Sequence, residues 1–165
     1  MRSLPTQWAV AALAGIALAA CDPGYALRGE PIPLAKCRAG SGSSRFIVTS
    51  FYRQALVERN VRAGFEAFVS PDFVEHKPAV PRGDRESTIR LLEGLIAHYP
   101  QARWEIVRVV AEGDLVAVHA RSTLVPGDEP YAVADFFRVS GCRIVEHWDV
   151  VAPPERNAPN PHSRF

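Results

Sequence analysis

The hydrophobic pattern divides the chain into four zones. The first is an unbroken apolar run: after Met1-Arg2-Ser3, residues 8–20 are apolar apart from Gly15. A dozen or so such residues match the core of a cleaved export signal, about 7–15 long, and fall short of the roughly 20 a membrane-spanning helix needs. The second zone, residues 22–44, carries Pro23, Gly24, Gly29, Pro31, Pro33, Gly40 and Gly42 and keeps no period of 2 or 3.6. It reads as a tether.

From Arg45 a helical period sets in, with Ser43 or Ser44 as the expected cap and Phe46, Ile47, Phe51, Ala55 and Leu56 on one stripe. Glu58-Arg59-Asn60 breaks it. A second short helix carries Phe65, Phe68 and Val69 and stops at Ser70-Pro71, and residues 73–83 read as a proline-containing loop. A third helix is expected between Asp84 as cap and Pro100 as stop, with Ile89, Leu92, Leu95, Ile96 and Tyr99 facing one way.

In the last zone the period changes to two. Residues 104–111, 115–125, 131–139 and 143–151 are rich in Val, Ile and aromatics and are separated by Gly- and Pro-containing turn clusters. These are hairpin signals. Three helices followed by a meander of about four strands predict an α+β domain, with the helices on one face of a curved antiparallel sheet. The tail, 153–165, has four prolines and no period, and reads as an arm crossing the domain surface.

The apolar N-terminal run ends in Leu18-Ala19-Ala20-Cys21, which resembles the lipobox of bacterial lipoproteins. Residues 1–20 would then be the signal peptide, 21–44 the tether and 45–165 the domain. The Cys21 thiol would take the diacylglycerol, with palmitate-type acyl chains holding the protein to a membrane it does not span. The expected location is the periplasmic or extracytoplasmic side of the cell membrane. The alternative is an ordinary cleaved signal followed by a cysteine that carries no lipid.

Without the signal about 145 residues remain, a single-domain length. At 47% hydrophobic and 22% charged the composition is that of a globular chain. The formal charge is +1, and removal of Arg2, the signal's only charge, leaves the mature protein neutral. A neutral domain without a basic run argues against nucleic acid as a partner. Export leads to an oxidising compartment, so Cys37 and Cys142 could pair; two free thiols are the alternative.

Candidate chemistry concentrates in the strands. Asp135 lies mid-strand in Tyr131-Ala132-Val133-Ala134-Asp135-Phe136-Phe137. An acid on an apolar wall is costly unless paired, its pKa is expected to rise, and a general acid/base near neutral pH needs that shift. A structural Asp bonded to a neighbouring Arg or Trp would look the same. His119 lies mid-strand at similar depth on the neighbouring strand, where it could meet Asp135 across or diagonally; a lone strand histidine that is simply a satisfied core or surface residue is the alternative. In Glu146-His147-Trp148-Asp149, alternation sends Glu146 and Trp148 to one face and His147 and Asp149 to the other, unless the segment is a solvated strand end. His76 sits in the proline-containing loop. No histidine spacing suits a metal, and no phosphate loop or nucleophile elbow occurs.

At these residues the chain resembles the SnoaL-like polyketide cyclases, within the cone-shaped superfamily of nuclear transport factor two and ketosteroid isomerase. The likeness runs through Phe73-Val74-Glu75-His76-Lys77-Pro78, then Ala111-Glu112-Gly113-Asp114-Leu115-Val116-Ala117-Val118-His119. It continues in Asp135-Phe136-Phe137-Arg138-Val139 and Ile144-Val145-Glu146-His147-Trp148-Asp149-Val150. One departure is Lys77, where relatives often have Asn. The resemblance implies a cone with a mostly apolar pocket and a cofactor-free aldol condensation or isomerisation of a small hydrophobic carbonyl compound. Asp135 would be its acid/base and His119 the second catalytic group, with His76, His147, Trp148, Tyr52 and Phe137 contacting substrate. It also implies a possible homodimer through the outer sheet face. Because the superfamily includes non-catalytic binders, a lipoprotein that merely holds a hydrophobic ligand is the rival expectation.

Replacing Cys21→Ser is expected to abolish incorporation of labelled fatty acid and to release the protein from membranes. Label retained by the variant would refute lipidation at this residue.

Overall fold

The computed structural model describes residues 41–165 apart from 156 and 158. The signal peptide, Cys21 and most of the tether lie outside the described residues. Helix α1 spans Ser41–Tyr52 and runs into a π-helical turn, Arg53–Val57. Arg59 then adopts a left-handed φ of 62°, which ends the helix where Glu58-Arg59-Asn60 was expected to break it. Helix α2 is Val61–Phe68, strand β1 Val69–Glu75 and helix α3 Arg85–His98. Strands β2 (Arg103–Glu112), β3 (Leu115–Thr123), β4 (Tyr131–Ser140) and β5 (Arg143–Ala152) follow.

The α+β expectation holds, with two corrections. The sheet has five strands rather than four, in the order β1-β5-β4-β3-β2. The added strand, β1, covers residues expected to end a helix and begin a loop, and it lies parallel to β5 along the edge. Pro71 and a bulge between Val69 and Val74 break its alternation, and proline is tolerated on such an edge. Helix α1 also begins at Ser41, so the tether's last four residues are helical, and Ser44 spends its hydroxyl on the Gly113 carbonyl at 3.0 Å rather than on a cap.

Helix α3 is capped as expected: Asp84 accepts the Ser87 amide at 2.7 Å, which satisfies one otherwise unpaired N–H of the first turn. The Gly141-Cys142 turn joins β4 to β5 with φ of 54° and 66°, positive at both positions as a tight hairpin demands. Cys142 is disulfide-bonded; its expected partner, Cys37, lies outside the described residues.

Helix α1 packs on the sheet through Ile47, Val48 and Phe51, all buried. The Phe51 ring meets Phe65 of α2 edge-on at 5.0 Å and Phe137 of β4 at 5.9 Å, tying both helices to the sheet. On β3, Val116, Val118, Ala120 and Ser122 face this core, while Ala117, His119 and Arg121 face outward. The C-terminal arm does cross the outer surface. Arg164 donates to the Pro130 and Pro153 carbonyls at 3.0 Å each, and the Phe165 ring lies 4.4 Å beneath the Arg121 guanidinium. Among the described residues no helix is long and apolar enough to cross a membrane.

Helix α2 packs closely against the π-helical turn at Gly64. A Cβ on Gly64 would stand 2.8 Å from the Ala55 Cβ and 3.0 Å from its backbone nitrogen. Alanine gains about 1 kcal/mol of helix propensity over glycine, but overpacking of this kind costs about 1–3 kcal/mol. Gly64→Ala is therefore expected to lower the urea midpoint. Gly94→Ala on α3, where nothing lies within 4 Å, is expected to raise it.

Candidate active site

Between α1, α3 and the inner face of the sheet lies a cavity of about 290 Å³. Most of its wall is apolar, from Phe51, Leu92, Leu95, Trp104, Val133 and Phe137 among others. Charged groups also line it: Glu75 and Lys77 at the end of β1, Asp135 on β4, and His147 and Asp149 on β5.

Strand pairing brings the charged groups together. β1 and β5 set Glu75 beside His147, and β5 and β4 set Asp149 opposite Asp135. His147 bridges two carboxylates. Its Nδ1 lies 2.8 and 2.9 Å from the Glu75 oxygens, and its Nε2 lies 3.1 Å from Asp135 Oδ1. With a carboxylate at each nitrogen, both ring N–H groups donate and the ring is an imidazolium. All three side chains are shielded, with exposures of 1% for Glu75, 13% for His147 and 10% for Asp135.

The electrostatics agree with that assignment. Burial opposes a charged imidazole, but hydrogen bonds to Asp135 and Glu75 and the charges of both outweigh it, raising the His147 pKa from 6.5 to about 9. Tyr52 of α1 also reaches Asp135. Burial first, then the Asp135 charge and a hydrogen bond to it, hold the phenol well above its usual range, so Tyr52 stays protonated and donates. Glu75 Oε1 also accepts the Lys77 amide at 2.9 Å, and the Lys77 ammonium pairs with Asp149. Among the described residues no group of three or more His, Cys, Asp or Glu has metal-holding geometry.

The expected site residues separate by sheet face. Asp135, His147, Tyr52 and Phe137 all line the cavity. His119 does not join them. Its cross-strand neighbour is Ala134, and Val118 faces Asp135, so alternation sends His119 to the outer side. There it accepts from Arg108 at 2.7 Å and stacks on Phe165 at 5.7 Å. His76 and Trp148 are also outside the cavity, stacked on each other with ring centres 4.7 Å apart. His76 contacts Glu146 at 3.4 Å, and Glu146 is held by Arg138 at 2.7 Å. Glu75 and Lys77 were not anticipated as site residues. The usable signal was alternation in Phe73-Val74-Glu75, which points Glu75 the same way as the buried Phe73.

A curved α+β cone with ionisable groups at one end of an apolar cavity defines a class of small pocket-bearing domains. Residues 48–147 match the SnoaL-like domain family. The chain belongs to that family. None of the curated protein sequences matches it.

Solved structures show the same cone. A proposed ketosteroid isomerase from Kribbella flavida is 21% identical, with a TM-score of 0.58 over 74% of this chain and 87% of the other. A proposed polyketide cyclase from Acidithiobacillus ferrooxidans is 21% identical, with a TM-score of 0.55 over 69% and 91%. IdmH, a proposed polyketide cyclase from Streptomyces antibioticus, is 23% identical, with a TM-score of 0.55 over 66% and 91%. At these identities the likeness is one of fold.

A raised His147 pKa ties stability to pH. The folded protein keeps a proton that the unfolded chain releases near 6.5, so the stabilisation is whole below that pH and is lost as pH rises through about 9. At 1.36 kcal/mol per pKa unit the loss is roughly 3 kcal/mol. Urea unfolding at several pH values should show this decline, and His147→Gln should lack that part of it. A ring that titrates near 6.5 by NMR would contradict the assignment.

Proposed function

We propose that this protein is a cofactor-independent proton-transfer enzyme, of the aldol cyclase or isomerase type, acting on a small apolar carbonyl compound. The observation that carries this reading is the shielded Glu75–His147–Asp135 chain at one end of an otherwise apolar cavity. A carboxylate has about four acceptor positions. His147 and Tyr52 occupy two around Asp135, which leaves room for a proton taken from carbon α to a carbonyl. His147 and Tyr52 hold the carboxylate in place, and Glu75 fixes the imidazolium from behind. The histidine partner in this mechanism is His147, in place of His119.

The proposal includes attachment to the extracytoplasmic membrane surface through lipidated Cys21, which would present the cone to ligands near the bilayer. It also retains a homodimer through the outer sheet face, where Val110, Phe136 and Val150 are exposed. The rival reading is a binding lipoprotein. It is favoured by the hydrogen bonds Asp135 already makes, which would equally serve a carboxylate that only orients a ligand.

Exchange of α-protons from an enolisable ketone in D₂O separates the two. An enzyme accelerates exchange over buffer, and Asp135→Asn, which keeps shape but cannot take the proton, slows it by about 10²–10⁴-fold. A binder shows no acceleration, and Asp135→Asn then alters affinity alone. Absence of exchange with a ketone that demonstrably binds would refute the enzyme reading.

A further inference from the structure

The cavity holds a second ion pair that the proton-transfer chain does not use. The Lys77 ammonium meets the Asp149 carboxylate, with side-chain exposures of 29% and 11%, and both line the cavity. Asp149 is the direct cross-strand neighbour of Asp135 on the inner face. Such neighbours have Cβ atoms about 4.5–5.5 Å apart. The cation is thus held beside the group proposed as the base.

Its position is set by the backbone around it. The Lys77 amide donates to Glu75 Oε1 at 2.9 Å, and the Lys77 carbonyl accepts the Val80 amide at 3.0 Å. The loop is closed where the Glu75 amide donates to the Gly83 carbonyl at 2.8 Å. Gly83 has φ +61°, and a Cβ there would stand 2.8 Å from the Glu75 carbonyl oxygen, so the closure depends on glycine. An ammonium has three N–H donors, and Asp149 is its hydrogen-bond partner among the described residues.

Size and charge limit what those donors meet. The cavity, about 290 Å³, is close to twice the roughly 150 Å³ that holds one benzene. Three acidic side chains (Glu75, Asp135, Asp149) face two basic ones (His147, Lys77), a formal excess of one negative charge before anything binds. An anionic ligand would add a second charge against apolar walls, which is costly. A neutral ketone adds none, and deprotonating it only moves the existing charge from Asp135 to the enolate oxygen.

We infer that Lys77 is the electrophile of this site, donating an N–H to the carbonyl oxygen of a neutral, enolisable ketone about two fused rings in size. The inference rests on Asp135 as the base. In the step, the α C–H bond breaks and its proton passes to the Asp135 carboxylate. The C–H electron pair becomes the carbon–carbon double bond, and the carbonyl π pair moves onto the oxygen facing Lys77. Reversal returns a proton to carbon, or a deuteron in D₂O.

The test uses the full chain in detergent with 2-tetralone, a neutral bicyclic ketone, following binding by fluorescence of Trp104 in the cavity wall and α-proton loss by NMR. Lys77→Met keeps the apolar stem and should slow exchange by about 10²–10³-fold, the cost of removing one donor to a developing oxyanion. Affinity should fall by no more than about tenfold, the worth of one ordinary hydrogen bond. Lys77→Met combined with Asp149→Asn removes the orphaned charge as well and should be equally slow. The anion 2-naphthoate should bind about tenfold or more weakly than 2-tetralone.

Wild-type exchange rates in either Lys77 variant, with Asp135→Asn inactive, would overturn the role of Lys77 and leave the base reading standing. Failure of 2-tetralone to bind, or tighter binding of 2-naphthoate, would overturn the ligand class. Equal exchange in wild type and Asp135→Asn would remove the base, and the Lys77 inference with it.

Discussion

The imidazolium of His147, shared between Glu75 and Asp135, is the constraint on which the inner wall depends. Burying a lone carboxylate or a lone imidazolium would each be costly. Placed in a row on adjacent strands, each supplies the charge its neighbour needs, and each carboxylate takes one further bond, Asp135 from the Tyr52 hydroxyl and Glu75 from the Lys77 amide. Removing a member of such a row leaves a shielded charge without its partner, and a loss of that kind is much larger than the net worth of the intact pair. The row therefore dictates geometry and ties part of the protein's stability to the proton on His147.

That geometry comes from strand order. β5 is central to the arrangement because it pairs with β1 on one side and β4 on the other, so His147 has Glu75 directly across one ladder and Asp135 diagonally across the other, two residues from its own partner Phe137. Strand alternation then separates the two faces. His147 and Asp149 turn into the cavity, while Glu146 and Trp148 turn out to Arg138 and His76. A register slip of one residue would exchange these sets. Helix α1 closes the row from above, its Tyr52 reaching Asp135 while Phe51 anchors the same helix to Phe137.

The contrast between the polar end and the rest of the cavity is what gives the site its chemical character. A core built for stability alone would fill the space with apolar side chains, and most of this wall does so. Local departures from that rule mark functional positions in a folded chain. Here the charged departures are contiguous: Glu75 and Asp135 flank His147, Asp149 stands opposite Asp135, and Lys77 pairs with Asp149. The outer face is built differently, from exposed ion pairs and the C-terminal arm, and its histidines, His76 and His119, are held by surface partners.

Because each depends on residues close together in the chain, local sequence alone determined the three helices, the four hairpin strands, the Asp84 cap and the division of β5 into two faces, though not which face turns inward. It also exposed Asp135 as an acid where an apolar residue was due. The partners of Asp135 were another matter. Counting from the turn placed His119 at its depth but not on its face, and the true register pairs His119 with Ala134. The β1 strand was illegible because Pro71 and a bulge erase its alternation, and its pairing with β5 joins residues about seventy positions apart. Only tertiary structure could bring Glu75 and Lys77 to His147 and Asp149, because nothing in local sequence encodes which strand lies along an edge.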